Sequence, residues 1–298
     1  MAKDVTGLTR RDFMKGVGGA LVGMAVGLPA SASGTVTRAG TSRVVLIRNE
    51  DVVLGLRSND AGLIQQMLDE AMVALFGLED ASDCWAQIIR PDDVVGIKTN
   101  IWRYLPTPPE LEQAIRRGVL GAGVPQQNIA MDDRRVLQND VFRRSTALIN
   151  SRPMRTHAWS GVGSLIKNYI MFDNPEDYHD DACASLAKLW DLPITRGKTR
   201  LNVLAMLTPQ FHNVGPHHFD EEYIWPYGGL IVSADPVAAD AVGLRIIQQK
   251  RRRMFGEDRP LQPTAHHIAL ADTEYGLGNA SMDKIELVRL GWGEDSLI

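Results

Sequence analysis

Cysteine is nearly missing from this chain: Cys84 and Cys183 are the two among 298 residues. Two thiols cannot frame a disulfide scaffold or supply the four thiolates of an iron–sulfur cluster, so no iron–sulfur cluster is expected on the chain's own cysteines. An excess of positive charge is lacking too. Lys and Arg number 32 against 36 Asp and Glu, a formal net charge of −4. Nucleic-acid-binding domains are usually basic, so nucleic acid is not an expected partner. No stretch reaches the roughly 18 uninterrupted apolar residues of a membrane span. The sequence has no G-x-x-x-x-G-K-[ST] phosphate loop, no G-x-G-x-x-G after its first expected strand, no G-x-S-x-G elbow, no H-E-x-x-H and no CxxC. The nucleotide, dinucleotide, serine-hydrolase and zinc-protease chemistries that use those devices are therefore not expected, and no cofactor motif is identified. What remains is 44% hydrophobic and 23% charged, an ordinary globular composition, long enough for one large or two small domains.

The first residues read as an address. Thr9-Arg10-Arg11-Asp12-Phe13-Met14-Lys15 is followed by a glycine-rich apolar run from Val17 to Leu28 and then by Pro29-Ala30-Ser31-Ala32. A charged start, a weak apolar middle and a small-residue cleavage site form a signal peptide. The paired arginines make it similar to a twin-arginine (Tat) signal. The expected division is a signal at 1–32, a linker at 33–41 and one compact domain at 42–298. The resemblance implies that the Tat export machinery is a partner and that the mature protein is periplasmic, or otherwise outside the cytoplasm, with no membrane span.

Strand-like and helix-like segments then alternate. Ser42 to Arg48, Val94 to Lys98, Asn128 to Met131, Leu201 to Leu207, Gly229 to Ser233 and Lys284 to Leu290 are short, β-branched or apolar runs between turn formers. Asp60 to Phe76 carries Leu63, Ile64, Met67, Leu68, Met72 and Leu75 at helical spacing. Pro109 to Leu120, Ser185 to Trp190, Pro236 to about Arg252 and Thr264 to Glu274 complete the expected helices, with Asp235 capping the third of these. Lys250-Arg251-Arg252-Arg253 at that helix's end reads as a solvated run matched to the helix dipole. The alternation predicts an α/β fold with a mainly parallel sheet flanked by helices.

Four polar blocks could carry chemistry. They are Gly96-Ile97-Lys98-Thr99-Asn100, the run from His157 to Asn168, the run Gly229 to Val242 containing Ser233-Ala234-Asp235-Pro236-Val237-Ala238-Ala239-Asp240, and Ala269 to Gly278. Their order and spacing resemble the domain-of-unknown-function 362 family over nearly the whole mature chain. Thr99 stands where that family usually has proline, and Gly163 stands near a common threonine. Many relatives add a four-cysteine ferredoxin-like module, which this chain lacks. The resemblance implies a family but no settled reaction.

The residues themselves say more. Lys98 and Asn100 fall at the carboxyl end of a strand, the edge where open α/β sheets bind ligands. A lysine there can hold an anion or act as a base once desolvated; the alternative is a surface lysine beside a turn. Lys167 and Asn168 offer the same donors, and His157 either titrates near neutrality or is a hydrogen-bonded structural residue. Asp240 lies in an apolar helix and needs a partner if buried, either at a site or structurally. His212, His217 and His218 lie with Asp220, Glu221 and Glu222 in an expected loop after the Leu201 strand. They could ligate a divalent metal or belong to a polar loop without one. Tyr223, Trp225 and Tyr227 either wall a pocket or pack that loop down. Cys84 and Cys183 are expected to stay unpaired. Together these point to an exported enzyme acting on an anionic small molecule, with Lys98, Asn100, His157, Lys167, Asn168 and Asp240 at its site. The alternative is a non-enzymatic ligand-binding or accessory protein of a redox or cell-surface complex.

Overall fold

Along each long strand the side chains alternate between two separate hydrophobic cores, the period-two signature of a sheet covered on both faces. Val45, Ile47, Ile97, Ile149, Val203 and Val232 join one core, while Val44, Leu46, Leu148, Leu204 and Ile231 join the other. The computed structural model describes residues 40–215 and 219–298. The expected signal and most of the linker, and with them His217 and His218, lie outside the described residues.

The strands are β1 Ser42–Arg48, β2 Val53–Gly55, β3 Ser58–Asn59, β4 Val95–Lys98, β5 Ile129–Asp132, β6 Ala147–His157, β7 Gly161–Gly163, β8 Thr199–Gly215, β9 Gly229–Ser233 and β10 Ile285–Gly291. The helices are α1 Ala61–Phe76, α2 Ala81–Ile88, α3 Pro109–Gly121, α4 Asp140–Arg143, α5 Leu165–Asn168, α6 Pro236–Phe255 and α7 His267–Thr273. The main sheet runs β10-β1-β9-β8-β6-β4-β5, with β7 paired to β6. β10 with β1, β8 with β6, and β6 with β4 and β4 with β5 are parallel; β9 runs against both β1 and β8. This is a mixed, mostly parallel α/β sheet in one compact domain.

Helices α1, α2 and α3 cover one face through Ile64, Leu68, Trp85, Leu111 and Ile115; α6 and α7 cover the other through Val237, Val242, Ile246 and Ile268. Asp60 and Asp235 start α1 and α6 as side-chain caps, Asp235 accepting from Val237 N and Ala238 N. Gly77 and Gly256 end the same helices in the left-handed conformation, which glycine adopts without a Cβ clash.

Several expectations needed correction. β6 was not expected at all. Past its first three residues, Asn150-Ser151-Arg152-Pro153-Met154-Arg155-Thr156-His157 is too polar to read as a strand, yet every residue of it is buried. The strand expected at Leu201–Leu207 continues to Gly215, because Gln210 bridges to Ile224 and pairs with Arg155. His212 is therefore on a strand rather than in a loop. The helix expected at Ser185–Trp190 is a 3-10 turn at Leu186–Trp190. The late helix begins only at His267; the backbone at Pro263 and Ala265 packs against Gly161 instead, where a Cβ would meet both. In the basic block Arg251 is buried rather than solvated.

Candidate functional site

Four cations are buried together where the carboxyl ends of β4 and β6 meet α5. Lys98, Arg152, Arg155 and Lys167 are each no more than 4% exposed. Lys98 ends β4, beside Asn150 in the register of β6. Its Nζ donates to Asp133 Oδ1 at 2.5 Å and to Thr99 O at 2.8 Å. Burial lowers the Lys98 pKa to about 8 against the opposing pull of Asp133. Burial alone would raise Asp133, but Lys98 and the Ile101 backbone N–H outweigh it and keep the carboxyl below its usual range.

Arg152 and Arg155 converge on Gly163. A Cβ there would stand 2.5 Å from Arg152 Nη2 and 3.0 Å from Arg155 Nη1, so any larger residue would displace the guanidiniums. Arg152 donates to Ser164 O at 3.1 Å. The Arg155 guanidinium stacks over Trp102 at 4.3 Å, but its Nε and Nη1 have no partner. Burial lowers the pKa of both, Arg152 to about 10 and Arg155 further, with Arg152 adding to the effect on Arg155. Arginine keeps its proton in proteins, so the shift measures how unfavourably these charges are held.

Lys167 is set by a cap from a distant helix. Asp240 on α6 accepts from Leu165 N at 2.8 Å and Ile166 N at 2.9 Å, satisfying the first turn of α5. Burial raises its pKa to about 7. This is the partner the sequence required of a carboxylate in an apolar helix, and it is the backbone rather than a lysine. Lys167 Nζ lies 3.3 Å from Cys183 Sγ, and burial lowers its pKa to about 8. Cys183 closes a run of three left-handed residues, Asp181, Ala182 and Cys183, at φ 46°, 51° and 65°. Left-handed backbone costs roughly 1–2 kcal/mol per non-glycine residue, so the fold holds the sulfur against Lys167 at a cost. Both cysteines are free; Cys84 lies in the other core.

His157 ends β6. Its Nδ1 accepts from Trp159 N at 3.2 Å, leaving Nε2 as the N–H. Burial first, then Lys167, Arg155 and Arg152, hold its pKa well below the usual histidine range, so it is a neutral donor at pH 7. Asn168 Nδ2 bonds Asn150 Oδ1 at 2.8 Å, and Asn150 continues to Asn202 at 3.1 Å. This asparagine ladder stitches α5 to β6 and β8. Ser164 Oγ meets His267 Nε2 at 3.2 Å, and burial drives His267 down to about 3.

The structure thus brings Lys98, His157, Lys167 and Asn168 together, with Asp240 as the residue that positions α5. Asn100 stays outside the cluster. Its backbone N–H bonds Thr107 Oγ1 and its side chain turns back to Trp102 N, closing the loop that carries Trp102. Arg152 and Arg155 were missed because the strand bearing them was missed. The available signal was a pair of arginines three apart just ahead of the His157 block. His212 lies elsewhere, with Nδ1 taking a hydrogen bond from Arg251 Nη1 at 2.9 Å and its ring against Tyr223 and Phe255. Arginine is only a donor, so Nδ1 is the acceptor and Nε2 carries the proton; ligation through Nε2 would require giving up that bond. No group of three or more metal-ligating side chains occurs among the described residues. Tyr223 and Trp225 pack on Phe211, and Tyr227 is fully buried. A cleft of about 520 Å³ opens beside the end of β6, lined by Thr156, Gly161, His212, Arg251, Arg259 and Leu261 among others.

Unpaired atoms concentrate at the cluster. Ser151 Oγ, Arg155 Nε and Nη1, Asn168 Oδ1, Gln210 Oε1 and His267 Nδ1 are buried without partners, against two such atoms elsewhere among the described residues, on Trp85 and Ser145. Buried polar groups are nearly always satisfied in native proteins, so this concentration sets the cluster apart from the rest of the described residues. No protein-family model, curated protein or solved structure matches the chain.

Proposed function

We propose that this is an enzyme acting on an anionic small molecule, bound by Lys98, Arg152, Arg155 and Lys167. The observation that carries the reading is Arg155: 4% exposed, with two unpaired guanidinium nitrogens among three other buried cations. An unpaired buried charge is costly, and an anion removes that cost. Lys167 is the acid–base group. Its pKa of about 8 lies near neutral pH, where proton transfer by a side chain is most effective. Lys98, locked to Asp133, supplies fixed charge, and His157 offers its Nε2–H to an oxyanion. Export by the twin-arginine route, with Arg10 and Arg11 as its mark, and membership in the domain-of-unknown-function 362 family belong to the same proposal and rest on sequence.

Thermal unfolding and turnover test it. Multivalent anions at constant ionic strength should raise Tm, since a ligand of the native state stabilises it by mass action, and Arg155→Met should abolish the rise. Over a panel of chromogenic anionic esters, wild-type protein should turn over at least one, and Lys167→Met should lose kcat by 100-fold or more. Tm shifts without turnover on any ester would overturn the enzyme half of the reading. Shifts that survive Arg155→Met would overturn the site.

A further inference from the structure

We infer that the anion this cluster is built for is a phosphoryl group, the substrate being a small-molecule phosphate monoester or phosphonate. This rests on the anion-binding reading above and narrows it. The first argument is charge balance. Among the described residues Lys98 alone of the four cations has a carboxylate within 4.0 Å, namely Asp133. Asp132 sits on that side too, but it holds Arg135 and the Asp133 backbone N–H. Glu112 there bonds Thr99. Asp133 also faces Arg152 and Arg155. The other carboxylate, Asp240, faces Arg152, and its oxygens are both engaged by backbone N–H groups. Four positive charges against at most two negative leave an excess that a ligand of charge −2 closes, and a phosphate monoester carries about −1.5 to −2 at pH 7.

The second argument is geometry. Arg152 Nη2 and Arg155 Nη1 stand 2.5 and 3.0 Å from where a Cβ on Gly163 would be, which brings the two guanidiniums close together beside β7. Lys167 and His157 act on the same guanidinium pair. Charges that converge so closely call for a ligand with both negative charges on one group. A dicarboxylate, whose charges lie several bonds apart, matches less well. A carboxylate or a nitrate brings only one charge. The unpaired Arg155 nitrogens supply donors of the kind that bind phosphate oxygens with charge-assisted hydrogen bonds.

Titration calorimetry on the full chain at pH 7 and constant ionic strength separates the outcomes, with inorganic phosphate, sulfate, succinate, acetate and nitrate as probes. Phosphate and sulfate should bind at least 30-fold more tightly than acetate or nitrate, and more tightly than succinate. Arg155→Gln should weaken phosphate 100-fold or more, and Arg155→Lys about 10-fold. Gly163→Ala, which removes no charge but displaces the two guanidiniums, should also weaken phosphate by 10-fold or more while the far-ultraviolet circular dichroism stays unchanged. If succinate or acetate binds as tightly as phosphate and loses affinity in Arg155→Gln, the phosphoryl assignment is wrong and the anion site stands. If none of the five binds, or binding is indifferent to Arg155, the phosphoryl assignment and the anion site fall together.

Discussion

This molecule buries arginine in two opposite ways, one at Arg251 and Arg48 and the other in the cluster around Arg155. Arg251, on α6, is 5% exposed and spends its guanidinium fully: on Arg259 O, Pro260 O, Phe211 O and His212 Nδ1, at 2.9 to 3.3 Å. Arg48 behaves similarly at the other side of the sheet. It bonds carbonyls of Tyr227, Trp292 and Glu294 and lies between the Tyr227 and Trp292 rings at 4.1 and 4.2 Å. These are structural arginines that tie chain segments together. Arg155 is equally buried but leaves two nitrogens unpaired, next to Arg152 and Lys167. Burial of a charge therefore does not mark a site in this protein. On the function proposed above, incomplete hydrogen bonding does, because beyond its stack on Trp102 the Arg155 charge is compensated only when a ligand arrives.

Replacing each arginine by methionine tests that contrast most directly. Arg251→Met strands several carbonyls and should lower stability by about 3–5 kcal/mol, as when one partner of a buried charged network is removed. Arg155→Met should leave ligand-free stability unchanged or raise it by about 1 kcal/mol, since apolar replacement of a poorly compensated buried charge is often stabilising. Urea unfolding of both proteins measures this, and equal losses would erase the distinction.

Asp240→Ala comes next. It leaves Leu165 N and Ile166 N unpaired, at about 1–3 kcal/mol for each buried group, against a gain from removing a buried carboxylate. A net loss of about 2 kcal/mol and a disordered α5 are expected, visible as faster amide exchange at residues 165–168. Unchanged exchange there would show that α5 needs no cap.

The pH dependence follows in size. Lys98 and Lys167 sit at about 8 in the fold against 10.5 as free side chains, so the unfolded chain holds more protons between those values. Stability of the ligand-free protein should therefore rise as pH climbs from about 8 to 10.5. Anion affinity should fall over the same range, because the lysines lose charge. His157 and His267 act at the other end: both are pushed down in the fold, so stability drops as pH falls below about 6.5 and the unfolded histidines take up protons. Tm and phosphate affinity measured from pH 5 to 10 check both limbs; affinity that holds steady to pH 10 would remove the lysines from the site.

The smallest effect is at the left-handed turn. Ala182→Gly relieves a φ of 51° and should stabilise by at most about 1 kcal/mol, since glycine's added freedom in the unfolded chain offsets part of the relief. A clear loss of stability would mean that Ala182 contributes more by packing than it costs in strain.

The sequence disclosed the sheet wherever strands were apolar and short. Val95–Lys98, Gly229–Ser233 and Ile285–Gly291 all fall where hydrophobic runs between turn formers placed them. The cap at Asp235 and the helices at Ala61 and Pro109 were equally legible, because capping and helical spacing are local rules. β6 was not, although it is a central strand, since half of its residues are polar and several of them gather around the buried cations rather than in the core. The same polarity hid Arg152 and Arg155. Lys98, His157, Lys167 and Asn168, which the structure brings together, stood out because polar residues at strand ends and after glycine-rich loops are conspicuous.

By itself, then, the sequence determined an α/β fold, its helix caps and most of the residues that meet at the carboxyl ends of β4 and β6. Only the tertiary structure decided which charges there are satisfied. Lys98 finds Asp133 35 residues away, Asp240 finds the backbone of α5 75 residues away, and Arg155 stacks on Trp102 with Nε and Nη1 unbonded. Spacing along a chain governs helices and strands, whose contacts are local. The balance of buried charge depends on contacts between distant segments, and those exist only once the sheet has formed.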